Sequence, residues 1–262
     1  MKSVNQRFDS DFLRSVANFI AILAAFAINV YANVAPPNGL TIGEISNRFF
    51  SEVPIIPANY AFAIWGVIYL GLISFAVYQI LPTQRQNPYL RREGYFLVLA
   101  SIAQIAWVFL FEYQLFTLSV VAMLFILLPL IGLYLRLGIG LERVSRAQKW
   151  FVHIPLSIYL GWISVATIVN VASTLDYLGW NGWGISPQIW TVILLVVAAA
   201  IAATITLKRA DVAYPSVIIW AFVAIAVRQA SQPLIAVTAV GFAIALGLLI
   251  LWRQLRRPDV AV

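Results

Sequence analysis

The sequence predicts an all-α, polytopic transmembrane helical bundle with eight spans, and three observations carry that expectation. Of 262 residues, 62% are apolar and only 10% are charged, against roughly a quarter charged in an average soluble domain. The apolar residues fall into eight runs separated by short segments rich in Pro, Gly and Arg, and about 20 apolar residues are what a helix needs to cross a bilayer. The basic residues also sort between alternate loops. With the N-terminus placed inside, all of the 17 Lys and Arg except Arg48 and Arg228 fall on the cytoplasmic side. Deleting one span, or fusing the last two, would carry the tail Arg253, Arg256, Arg257 to the other face. The pattern therefore asks for eight spans with both the N- and C-termini cytoplasmic.

In chain order, a polar head at 1–11 leads into a first span at 12–33. The head, the apolar run and Val30-Tyr31-Ala32 also resemble a cleavable signal. Asp9, Asp11 and a run longer than the ~7–15 residues of such signals favour a retained helix. Residues 35–57 carry Pro36, Pro37, Gly39, Gly43, Pro54 and Pro57 and read as the longest loop; loops above ~15 residues are often lids or binding elements. The second span, 59–81, opens at Pro57-Ala58-Asn59-Tyr60 and sets Phe62, Trp65 and Tyr69 on one face. A basic loop precedes the third span, 94–111, and Glu112-Tyr113-Gln114 turns tightly into the fourth, 115–135. The fifth covers 151–175. Residues 176–187 form a Gly and Trp loop whose Trp180 and Trp183 read as headgroup-level belt residues. The sixth span is 189–207, the seventh a short 213–227 between Pro215 and Arg228, and the eighth 234–252.

The fifth span is the most polar. On a helix Tyr159, Trp162, Ala166, Asn170 and Ser173 share one face, and an indole and a carboxamide at membrane depth are costly to show to lipid. That face looks inward, either as a cavity wall or as glue between helices.

Composition removes several function classes. There is no Cys and His153 is the single histidine, which excludes thiolate chemistry, Cys-based metal sites and His-rich metal sites. The ten acidic residues lie in loops, tails or at span ends, and no span holds a Lys, so the ionisable groups of a proton pump or a retinal Schiff base are missing. No G-x-S-x-G occurs. His153, at the mouth of the fifth span, reads as a capping or snorkelling residue. The formal charge of +7 reflects membrane topology and not a nucleic-acid partner, since no basic stripe or binding motif is present. What remains at membrane depth is neutral: Asn29, Tyr60, Trp65, Tyr69, Gln104, Trp107, Tyr159, Trp162, Thr167 and Asn170. Such a set suits a flat, largely apolar ligand; ordinary packing of a Trp-rich bundle accounts for it equally well.

Three blocks resemble the tryptophan-rich sensory protein family (TspO/MBR, the translocator proteins). In the fifth span Trp162, Ala166, Thr167 and Asn170 are similar to its W-x-x-x-A-T-x-x-N block. In the third, Gln104, Trp107 and Phe111 resemble N-x-x-W-x-x-x-F with Gln for Asn. In the second, Pro57, Asn59, Tyr60, Phe62, Trp65 and Tyr69 resemble P-x-N-W-x-F-x-P-x-W-x-x-L-Y, with Tyr60 for the first Trp, the second Pro absent and one residue fewer. The resemblance covers about residues 12–175. It implies a five-helix ligand-binding bundle at 1–175 followed by three additional helices and a basic tail at 176–262.

It further implies an integral membrane receptor or carrier for tetrapyrroles such as protoporphyrin or haem, or for sterol-like lipids, held in a cavity beneath the first long loop. Carried over by position, the ligand-binding candidates are Trp65, Tyr69, Gln104, Trp107, Trp162, Ala166 and Asn170, with Tyr60, Phe62 and Tyr159 secondary. No catalytic residue, metal or resident cofactor is expected, although light-dependent porphyrin breakdown stays open. So does homodimer formation. The expected partners are membrane lipid and a hydrophobic small molecule, the expected location the plasma membrane, and the rival function a facilitative small-solute transporter without proton coupling.

Overall fold

The computed structural model describes residues 2–256, with side chains from residue 10 onward. Of the basic and acidic residues read above, Arg257 and Asp259 lie outside the described residues, and the side chains of Lys2, Arg7 and Asp9 are likewise not described. All regular structure in the described residues is helical: α1 Lys2–Val34, α2 Ile42–Phe49, α3 Ile64–Ile80, α4 Pro88–Arg91, α5 Phe96–Glu112, α6 Phe116–Arg136, α7 Arg146–Gln148, α8 Ile154–Tyr177, α9 Pro187–Arg209, α10 Ala213–Arg228 and α11 Pro233–Leu255. A 3-10 turn, Asn59–Ala63, leads into α3, and a π-helical turn, Lys149–His153, leads into α8.

Eight apolar helices correspond to the eight expected spans. Six are long and apolar enough to cross a membrane, while α5 and α10 are shorter apolar helices. At ~1.5 Å per residue, the 16 residues of α10 fall short of a ~30 Å hydrocarbon core. That length is tolerable because Ile218, Ala221, Phe222 and Ile225 are buried among neighbouring helices. Two boundaries differ from the sequence reading: the polar head is part of α1, and the 35–57 loop contains α2.

The helices close a single bundle by alternating direction. One end carries the α1–α2 loop, the α5–α6 turn and the α8–α9 and α10–α11 loops. There Asn38 Nδ2 donates to the Glu112 carbonyl at 2.9 Å and Gln229 Nε2 to the Pro54 carbonyl at 3.1 Å. Arg48 and Arg228 sit at this loop end, Arg228 donating to Asn47 Oδ1 at 3.3 Å.

At the opposite end the basic residues collect, and several are tied down. Arg14 and Arg91 both pair with Asp11. Arg92 pairs with Glu142, Arg209 donates to the Ile139 carbonyl, and the Tyr134 hydroxyl donates to Asp211. His153 shares a hydrogen bond with the Tyr89 hydroxyl, which also donates to the Leu137 carbonyl, so it is a buried structural residue between helices.

The last three helices pack on the others directly. At Gly161 of α8 a Cβ would lie 3.0 Å from the Val217 Cβ and 3.1 Å from the Tyr214 carbonyl oxygen of α10, so glycine lets the two backbones approach this closely without displacing α10. The Ala58 amide donates to the Ala224 carbonyl at 3.1 Å, and the Trp220 indole to the Ala61 carbonyl at 3.1 Å. Large apolar side chains such as Leu70, Phe125, Leu128, Val237 and Leu248 are exposed on the perimeter. In water they would be a liability; in lipid they cost nothing.

Candidate functional site

The site is a cavity of about 460 Å³ at the loop end, enclosed by α1, α3, α5, α6 and α8 and roofed by α2. The roof is built by local chemistry. Thr41 and Glu44 form a capping box, in which the Glu44 amide donates to Thr41 Oγ1 and the Thr41 amide to Glu44 Oε2 at 2.7 Å, satisfying two otherwise free donors at the helix start. The Thr41 amide and hydroxyl both donate to the Glu44 carboxylate and hold it below its ordinary range. Ile45 and Phe50 then anchor α2 downward. The Phe50 ring meets Phe116 edge-on at 4.8 Å and Phe111 at 6.3 Å, and Thr41, Ile42, Gly43, Ser46 and Asn47 face the cavity.

The walls are aromatic. Trp65 of α3 stacks on Tyr69 at 5.5 Å and meets Tyr159 at 6.3 Å. Trp107 of α5 stacks on Phe111 at 5.1 Å, and Trp162 of α8 meets Phe62 edge-on at 5.9 Å. Rings braced in this way lose little freedom when a planar ligand lies against them.

Polar groups are distributed unevenly over these walls. Asn170 is saturated: its Oδ1 accepts from Trp107 Nε1 at 2.7 Å, and its Nδ2 donates to Ser119 Oγ at 2.9 Å. The carboxamide thus ties α8 to α5 and α6 while also lining the cavity. Wall and glue are here the same residue.

Gln104 and Trp162 behave differently. The Tyr159 hydroxyl donates to Gln104 Oε1 at 3.4 Å, but Gln104 Nε2 and Trp162 Nε1 are buried donors with no partner among the described residues. Both residues line the cavity. The two nitrogens, one on α5 and one on α8, are themselves shielded from the cavity that other atoms of their side chains line. A buried unpaired donor costs about 1–3 kcal/mol, so a side-chain shift that brings either to an acceptor is favoured.

Of the residues singled out from the sequence, Trp65, Gln104, Trp107, Trp162, Ala166 and Asn170 line this cavity together, as does Phe62. Tyr69 and Tyr159 stand behind the wall as supports; the Tyr69 hydroxyl donates to the Ala25 carbonyl at 3.3 Å. Tyr60 does not line the cavity. It is exposed and meets Trp220 of α10 edge-on at 5.3 Å, because the 3-10 turn at Asn59–Ala63 rotates it away. Thr167, next to Ala166, lines a separate cavity on the other face of α8. The roof residues were not anticipated, although T-x-x-E at Thr41–Glu44 is a readable helix-start signal. Asn29, Phe111 and Ser173, named from the sequence, also line it; Asn33, Met123, Val165 and Val169 do too, and nothing in the spacing of these four marks them out.

No curated protein and no solved structure matches the chain. The family model described as TSPO-like protein matches residues 15–252, which takes in all eight apolar helices, the last three included. With that match spanning most of its length, the chain is a divergent member of the TSPO-like protein family.

Proposed function

We propose that this integral membrane protein binds a flat hydrophobic ligand, a tetrapyrrole such as protoporphyrin or haem or a sterol-like lipid, in the cavity beneath α2, in a sensory or carrier role. The observation that carries the reading is an aromatic cavity two of whose lining residues, Gln104 and Trp162, each keep a buried donor without a partner, Nε2 and Nε1. A ligand with an apolar ring body and one or two edge acceptors supplies what those donors lack, while Trp65, Trp107 and Trp162 offer faces for stacking. The volume of about 460 Å³ falls within the ~300–1,000 Å³ typical of small-molecule sites.

In this proposal residues 1–175 form the ligand bundle and 176–262 a brace against α8. The basic end faces the cytoplasm, so α2 lies toward the outer surface and the ligand enters from there. The test is a titration of protoporphyrin IX into the detergent-solubilised protein, followed by tryptophan fluorescence. Saturable quenching that is lost when Ala166→Trp fills the cavity supports the reading; unsaturable quenching, or an Ala166→Trp variant that titrates like the parent, contradicts it.

A further inference from the structure

A second cavity, about 560 Å³, lies on the opposite face of α8 between α8, α9 and the loops at 52–55 and 180–187. Its floor is apolar, built from Ile55, Ile168, Val171, Ala172 and Leu194. Its mouth carries Glu52 and Asp176, both exposed. Neither has a basic partner within ion-pair distance among the described residues, where the ion pairs use other acids, and no Lys or Arg lines the cavity.

The side wall is an indole corner that is held in place. Trp180 and Trp190 lie 5.3 Å apart, and Trp183 packs on both at 5.3 and 6.0 Å. Trp190 Nε1 donates to the Gly182 carbonyl at 2.9 Å. A Cβ at Gly182 would sit 3.2 Å from that nitrogen, and Gly182 has φ +62°. Trp183 adopts φ 54°, a left-handed conformation that a bulky residue takes only when its surroundings enforce it. Trp180, read from the sequence with Trp183 as a headgroup-level belt residue, also lines this cavity.

We propose that this cavity is a second ligand site, for a hydrophobic monoamine cation whose apolar body occupies the floor and whose ammonium group sits between Glu52, Asp176 and the faces of Trp180 and Trp190. Charge complementarity selects this class. Two carboxylates attract a cation, indole faces add cation–π attraction, and the absence of any basic lining residue opposes the phosphate of a phosphocholine lipid headgroup. The site is independent of the α2-roofed cavity, since α8 separates them and their linings share no residue.

The test uses the full chain in a nonionic detergent at pH 7, where an alkylamine with a Lys-like pKa near 10.4 is protonated. Dodecylamine, dodecanol and dodecylphosphocholine are titrated calorimetrically. Dodecylamine is expected to bind saturably and at least about 10-fold more tightly than the other two. Glu52→Gln with Asp176→Asn, isosteric changes at exposed positions, should weaken the amine at least about 10-fold without moving the melting temperature. Ala172→Trp, which fills the floor and leaves both carboxylates, should abolish binding. Equal affinity for dodecanol would overturn the proposal, as would preferred binding of dodecylphosphocholine or parent-like amine affinity in the double variant.

Discussion

The Trp107 indole nitrogen lies 2.7 Å from Asn170 Oδ1, joining α5 to α8 at the wall of the cavity. Replacing Asn170 with Leu leaves Trp107 Nε1 buried without an acceptor and removes the donor to Ser119. The expected loss is about 1–2 kcal/mol of stability, since membrane hydrogen bonds average below 1 and the orphaned donor adds to that. Thermal unfolding in detergent measures it. Trp107→Phe in the same chain should cost less than the sum of the two single changes, because the orphan is then gone.

Gly161 tests whether α10 and α8 are one cooperative unit. A Leu there meets Val217 and the Tyr214 carbonyl, and overpacking of this kind costs about 1–3 kcal/mol. A single unfolding transition shifted to lower temperature is the expected result. Two separated transitions would mean that the last three helices fold apart from the rest.

Glu93, between α4 and α5, is fully buried with both carboxylate oxygens unpartnered. Burial pushes its pKa well above the ordinary 4.5, against a smaller opposing effect of the Arg14 guanidinium. A raised folded value means that the folded state holds the proton more tightly than the unfolded one. The associated stability is fully present below the ordinary value near 4.5 and is lost as pH rises through the folded value. Glu93→Gln, which keeps the shape and cannot ionise, should be more stable than the parent at pH 8 and no more stable at pH 4. A variant with the parent's pH dependence would rule this out.

The roof responds to acid in the opposite direction. Glu44 is depressed by its bonds to Thr41, so its contribution to α2 is present above the ordinary value of 4.5 and fades as pH falls through the lower folded value. Hydrogen exchange across residues 42–49 should accelerate in Thr41→Ala and in Glu44→Ala at pH 7. Neither change should alter exchange in the middle of α6.

The helices were legible because lipid imposes a simple rule: apolar runs of membrane length separated by charged turns must be spans. Arg48 and Arg228 stood apart by charge, and the fold brings both to the loop end. The cavity wall on α8 was readable as well, since Trp162, Ala166 and Asn170 repeat at helical spacing.

Tyr60's place outside the cavity was not legible because its exposure depends on a 3-10 turn, and α2 was missed because flanking Pro and Gly residues outweighed the Thr41–Glu44 capping signal. Which donors go unpaired was not legible at all. Gln104 and Asn170 are both carboxamides on inward faces, and only the packing of Ser119 and Trp107 around one of them decides that it is satisfied while the other is not.

The central claim is that Gln104 and Trp162 await ligand acceptors, and it is tested most directly by protoporphyrin IX affinity in Trp162→Phe and Gln104→Leu. Trp162→Phe deletes one unpartnered donor alone; Gln104→Leu would also strand the buried Tyr159 hydroxyl, which donates to Gln104 Oε1, and is therefore made together with Tyr159→Phe. Both variants should match or exceed the parent's melting temperature without ligand, because a buried unpaired donor is gone, and each should bind protoporphyrin about 5- to 10-fold more weakly, the equivalent of about 1–1.4 kcal/mol. Parent-like affinity in both variants would contradict the account.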